Sequence, residues 1–232
     1  LVTAFDPAHS GRLHAYEHAL RERSRLLKSG EGDGAWYAGL EDTMARYGVA
    51  ITAARRELVG RLNQAARVAA AFPVAVVDLD CDIDRLLDEG PALLAEDAMR
   101  ERLMGARPRD AESGGAAVGP HRADLLVTHR AKDMPAALCS TGEQKALLIA
   151  LLLTHARLLS DACGVAPVLL LDEVVAHLDT ERRRALFAEI LDLGAQVWMT
   201  GTDGETFRPL GEAAQFFYLR EQRLWPGAAE RL

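Results

Sequence analysis

Two short stretches of this sequence carry side chains suited to phosphate chemistry. The first is Ser140-Thr141-Gly142-Glu143-Gln144-Lys145. Ser140-x-x-Glu143 and Thr141-x-x-Gln144 both have capping-box spacing, which predicts a helix starting here. The N–H groups of a helix's first turn lack intrahelical acceptors and form an anion site, and Gly142 lets backbone come close to a ligand. The second stretch is Asp172-Glu173, which ends the apolar run Val168-Leu169-Leu170-Leu171. Ligands in open α/β sheets sit at the carboxyl ends of strands. An Asp there can hold Mg2+ through water, and the neighbouring Glu can polarise an attacking water. Asp179 follows six residues after Glu173. Each feature also has a plain structural reading, a helix cap or the solvated end of a strand. Their order is more specific than any one of them.

The elements that must position these groups are legible as patterns. Residues 146–153 are apolar on every side, which predicts a buried helix; eight such residues are too few to span a membrane. Residues 167–171 read as a strand buried on both faces, as in a parallel sheet. Thr180–Leu193 reads as a helix and 196–200 as another buried strand, followed by Gly201-Thr202-Asp203. Residues 214–219 and 223–225 suggest a closing hairpin with Glu221-Gln222 at its turn. Upstream, 12–28 and 35–72 have helical periodicity, with Trp36 expected as a core anchor and Arg21, Arg23, Arg25 and Lys28 as a basic face, either solvated or touching DNA or a partner. A strand is expected over 74–79, a solvated turn at Asp78, Asp80, Asp82 and Asp84, and a helix over 91–104. The polar, Gly-rich segment 107–119 suggests the boundary between a helical lobe (1–110) and an α/β part (111–232). Strands are expected at 124–128 and 136–138.

The order of motifs resembles the ABC-type ATPases. Ser140-Thr141-Gly142-Glu143-Gln144 is similar to their signature motif, Leu169-Leu170-Leu171-Asp172-Glu173 to the Walker B strand, and Leu178-Asp179 to the D-loop. Within that superfamily three stretches resemble the RecF family of bacterial recombination mediators: Leu1 to Lys28, Gly119-Pro120-His121-Arg122-Ala123-Asp124-Leu125, and Asp172 to Asp179. The resemblance implies an α/β fold: the C-terminal half of an ABC-type P-loop ATPase head plus a mostly helical lobe. It implies ATP and Mg2+ as ligands, Glu173 as the catalytic water-orienting residue and Asp172 as the metal ligand. Ser140, Thr141, Gly142, Glu143 and Gln144 would meet a nucleotide bound by the other subunit, and Asp179 would lie at that dimer interface. Thr200 and Thr202 stand where such heads commonly carry a His switch; a hydroxyl can donate to phosphate but carries no charge. The implied function is an ATP-gated homodimer in recombinational repair, replication restart and the SOS response. It would bind single-stranded and gapped duplex DNA and help load recombinase with mediator proteins. The alternative is a non-hydrolysing scaffold or interaction module of an SMC-like complex.

No G-x-x-x-x-G-K-[ST] loop occurs, and Gly30-x-Gly32-x-Gly34 has neither a Lys nor a preceding strand. The chain begins at Leu1 in mid-pattern, so a C-terminal fragment is expected: a weak ATPase when complete, inactive alone. The three cysteines form no CxxC pair and the seven histidines no zinc spacing. These features fit a reducing cytoplasm. A net charge of −7 weighs mildly against a dedicated nucleic-acid surface. Long heptad arms and a membrane segment are absent from the pattern, which weighs against a whole SMC protein and a transporter subunit.

Overall fold

The computed structural model describes residues 1–66 and 71–227. The chain divides into two compact units, Leu1–Ala65 with Val76–Thr128, and Ala66–Ala75 with His129–Leu232. In chain order the helices and strands of the first are α1 (Ala8–Ser29), α2 (Gly34–Ala65), β1 (Ala75–Asp80), α3 (Asp82–Glu89), α4 (Ala92–Ser113) and β2 (Asp124–His129). Those of the second are β3 (Met134–Pro135), α5 (Thr141–Cys163), β4 (Leu169–Leu171), α6 (Thr180–Leu193), β5 (Val197–Met199), β6 (Phe216–Arg220) and β7 (Arg223–Gly227).

In the helical unit, α1, α2 and α4 pack around Tyr16, Ala19, Met44, Val49, Ile51, Met99 and Leu103. Arg23 of α1 is not part of a basic surface. It is fully buried, its Nε donating to Glu41 Oε1 of α2 at 2.9 Å. Its Nη1 donates to Asp110 Oδ2 of α4 at 2.7 Å and its Nη2 to the Leu103 carbonyl at 2.6 Å. Arg107 closes the network by donating to both Glu41 oxygens, at 2.9 and 2.5 Å. Asp110 Oδ1 accepts the Ala117 N–H at 3.0 Å. Each charge that loses water here gains an opposite charge and a directed hydrogen bond, the condition under which burial is tolerated.

Four sequence expectations change here. The aspartates at 82 and 84 do not form a solvated turn; they open α3, favoured by the helix dipole, while Ile83 and Leu86 are buried. The helix expected over 91–104 runs on to Ser113, so residues 107–113 of the polar segment, with position 110, lie inside α4. Burial of Ala106 and the Asp110 ion pair hold that last stretch despite Pro108, and Gly114 ends it with φ 75°. Trp36 is not a core anchor: it stands 52% exposed. The helix expected over 35–72 ends at Ala65; residues 67–70 lie outside the described residues, and Phe72 belongs to the core of the second unit.

Gly119-Pro120-His121-Arg122 forms a 3-10 turn locked onto the helices. His121 Nε2 lies 2.9 Å from the Ala116 carbonyl and Nδ1 lies 2.8 Å from Tyr16 Oη. A carbonyl only accepts, so Nε2 carries the proton and the Tyr16 hydroxyl donates to Nδ1. Burial pushes the Tyr16 phenol up and keeps that proton in place. Gly119 has φ 139°, and a Cβ there would fall 2.0 Å from Tyr16 Oη, so no other residue fits.

In the second unit β4 and β5 pair in parallel, Leu169 with Val197, Leu170 with Trp198 and Leu171 with Met199. Leu169 and Leu171 are buried with Ala146, Ile149, Leu153, Leu186, Phe187 and Ile190 of α5 and α6. The other face is open, contrary to the expectation of a strand buried on both sides: Leu170 is 76% and Trp198 55% exposed. Leu148, 67% exposed, likewise shows that α5 is buried along one side only. At 23 residues α5 is long and apolar enough to cross a membrane by length and composition, but its apolar side is spent on this core. Residues 136–138 form a 3-10 turn rather than a strand. The hairpin β6–β7 turns at Glu221 (φ 49°) and Gln222 (φ 61°), the two positive angles that match a two-residue turn to strand twist.

Glu41→Ala leaves the Arg23 guanidinium buried with only Asp110 and a carbonyl. We expect a stability loss of about 3 kcal/mol in urea unfolding, since breaking a buried pair strands a charge. Arg25→Ala on the same helix, whose ion pair with Glu22 is exposed, should leave the urea midpoint nearly unchanged.

Candidate phosphate and carboxylate site

The start of α5 is built as its spacing predicts. Ser140 is the N-cap; its Oγ accepts the Glu143 N–H at 3.4 Å, and Glu143 Oε2 accepts the Ser140 N–H at 3.0 Å. The Ser140 hydroxyl also donates to Glu143 Oε2 at 2.9 Å. Gln144 Nε2 reaches back to the carbonyls of Ala136 (2.9 Å), Cys139 (3.2 Å) and Ala137 (3.4 Å), pinning the 3-10 turn against the helix. Cys139 is buried and its thiol points to the Pro135 carbonyl. Ser140 and Thr141 are exposed, and the space where a Gly142 side chain would stand is open, so this backbone is accessible from outside.

The spacing gave no hint of Lys132, which forms an ion pair with Glu143 from the turn after β2. Its hydrogen bond to Glu143, with those from the Ser140 N–H and hydroxyl, holds the Glu143 carboxyl down at about 2. The same contact raises Lys132. The partner lies eleven residues away across a strand and a turn, so no helical or strand period links the two. Glu143 is therefore an acceptor already engaged, and Gln144 is turned toward backbone. Ser140, Thr141 and Gly142 are the members of the motif that face outward.

At the carboxyl end of β4, Asp172 is exposed and Glu173 half-exposed. Glu173 takes φ 52°, a left-handed conformation uncommon for a residue with a side chain. Thr200 stands directly beyond β5, and its backbone N–H donates to the Leu171 carbonyl at 3.1 Å, continuing the parallel ladder. Its hydroxyl donates to Asp172 Oδ1 and accepts the Glu173 N–H at 3.0 Å. Thr202 is exposed in the bend that follows. Asp172, Glu173 and Thr200 are thus brought together at one strand end. Asp179 caps α6, accepting the Arg182 N–H at 2.8 Å, and its carboxylate is 58% exposed.

Asp172 suits a cation that keeps most of its water and binds mainly phosphate oxygens, as Mg2+ does with one or two carboxylates. Among the described residues no group of three or more His, Cys, Asp or Glu side chains converges into a metal cage.

The model of the family described as "AAA domain, putative AbiEii toxin, Type IV TA system" matches residues 3–217. The DNA replication and repair protein RecF of Rhizobium rhizogenes (strain K84) is 52% identical over 220 residues, covering 94% of this chain and 58% of that protein. RecF of Mesorhizobium japonicum is 48% identical over 221 residues, covering 93% and 58%. Among solved structures, the recombination mediator protein RecF-ATP in the RecFOR pathway superposes with a TM-score of 0.79 at 21% identity, over 98% of this chain and 60% of that one. The RecF-ATPrS structure gives 0.78 at 22% identity, over 96% and 60%. This chain spans about three-fifths of the length of these relatives, and the superpositions establish the mixed α/β fold.

The Glu143 carboxyl should titrate near pH 2 in carbon-detected NMR and move up toward its ordinary value of 4.5 in Lys132→Met. Because its folded value is depressed, its contribution to stability is complete above about 4.5 and is lost as pH falls through about 2. Glu143→Gln should remove that acid dependence.

Proposed function

We propose, from the premise that this chain belongs to the RecF family and to the AAA-domain family whose model spans it, that it works in an ATP-gated, DNA-binding protein of recombinational repair and replication restart. The observation that carries the reading is the end of β4. Two adjacent carboxylates leave a parallel strand there, one exposed for a cation and the other set by a left-handed backbone beside it.

In this reading Asp172 holds Mg2+, which neutralises phosphate charge when bound. Glu173 orients and polarises the attacking water. Such a division suits phosphoryl transfer, where positioning and charge stabilisation do most of the work. The turn Ser140-Thr141-Gly142 meets the terminal phosphate of ATP held by a second copy, with the Thr141 hydroxyl and the first-turn N–H groups of Thr141 and Gly142 as donors, since the Ser140 hydroxyl and N–H are given to Glu143. Glu143, Gln144 and Lys132 hold that surface in shape without touching nucleotide. Asp179 lies at the same dimer contact, where its cap of α6 fixes its direction. ATP then joins two copies and hydrolysis releases them.

DNA, single-stranded or as a gapped duplex, is the macromolecular ligand, with other recombination mediators as protein partners and the cytoplasm as the compartment. The arginines of the helical unit are mostly matched to carboxylates. Arg21 and Arg25, however, pair with Glu17 and Glu22 of their own helix in exposed contacts. Such pairs are worth little, so a phosphate can replace the glutamate at small cost. DNA binding through this face should weaken steeply with salt.

In the full-length gene product Glu173→Gln should lower ATP turnover by roughly 100-fold or more. It should also prolong the ATP-dependent dimer in light scattering. Turnover and dimer lifetime both unchanged would leave a non-hydrolysing scaffold as the function.

A further inference from the structure

The resemblance that places Thr200 at the switch position implies a hydroxyl that senses the terminal phosphate. The hydrogen bonds around Thr200 point elsewhere. A hydroxyl has one proton and two acceptor lone pairs. The Thr200 proton goes to Asp172 Oδ1, and one lone pair receives the Glu173 N–H at 3.0 Å. A phosphate oxygen needs a donor, and Thr200 has no second proton to give. Its backbone N–H is also committed, to the Leu171 carbonyl at 3.1 Å.

We infer that Thr200 is a positioning residue, whose hydroxyl fixes the Asp172 carboxylate and the Glu173 backbone against each other. The parallel register sets this up. Leu171 faces Met199, so the next residues, Asp172 and Thr200, leave the two strands side by side. Threonine suits the task because branching at Cβ restricts χ1, so the hydroxyl direction is largely set by the backbone of β5. Glu173 gains most from it. Its φ of 52° is sparsely populated for such a residue, and the bond from its N–H is a directed contact holding the peptide in that orientation. Thr200 thereby determines where the Glu173 side chain starts and how the Asp172 carboxylate is turned. Thr202, exposed in the following bend, remains the hydroxyl of this segment open to a ligand. The inference rests on the proposed roles of Asp172 and Glu173; the contacts themselves do not.

Two variants and two readouts test it. Thr200→Val keeps the shape and removes the hydroxyl, and Thr200→Ser keeps the hydroxyl and frees χ1. In Thr200→Val the Glu173 amide should exchange with solvent several-fold faster, as its acceptor is gone. In the full-length gene product kcat for ATP should fall by roughly 10- to 100-fold at unchanged KM, as expected for a displaced reacting group. Thr200→Ser should recover most of both. A Glu173 amide that exchanges at the same rate in Thr200→Val would overturn the inference. So would a rise in KM with kcat kept, which would make Thr200 a phosphate contact after all. A wild-type full-length product that turns over no ATP would remove the proposed function, while the exchange comparison would still decide the Thr200 contacts by itself.

Discussion

The parallel pairing of β4 with β5 is the constraint on which the second unit depends. Three residue pairs are enough to set it. The pairing turns Leu169 and Leu171 inward against α5 and α6, and these apolar contacts fix the height of both helices on the sheet. The same register delivers Asp172, Glu173 and Thr200 to one edge. A slip by one residue would turn Leu170 inward, expose Leu171 and separate Thr200 from Asp172, since side chains alternate with a period of two. Packing and chemistry are thus set by one hydrogen-bond ladder.

The first unit solves its positioning problem with charge. Arg23, Glu41, Arg107 and Asp110 come from three helices, and their bonds can all be made in only one arrangement of those helices. An apolar core of Met, Leu and Ala tolerates small slides, because dispersion contacts have little direction. Buried ions do not, since each lost bond leaves a charge without water or partner. The Tyr16–His121 bond extends the same discipline to the turn at Gly119. What the network gives is register more than net stability.

Local features were readable in the sequence. The Ser140–Glu143 capping box, the span of α6 and the turn at Glu221-Gln222 each depend on residues within a few positions of one another, where side-chain type and spacing suffice. Long-range features were not. Arg23 reads as one more charge on a basic helix, and its partner Asp110 stands 87 residues away. The run around Leu170 reads as doubly buried because hydrophobicity shows what a residue could bury, not whether anything covers it. Lys132 carries no periodic mark of its tie to Glu143. The candidate site shows the same division. Its residue types were legible, but the commitment of Thr200 to Asp172 and Glu173 follows from pairing between strands.

The exposure of the tryptophans has an optical consequence. Trp36, Trp198 and Trp225 are 52%, 55% and 54% exposed, although this residue is usually well buried. Neither core contains an indole, so the native chain should already emit like tryptophan in water, and its unfolding should be nearly silent by that signal. Coverage of the outer sheet face would have the opposite effect. Trp198 would move into an apolar setting and its emission would shift to the blue, making this indole a reporter of contact rather than of folding.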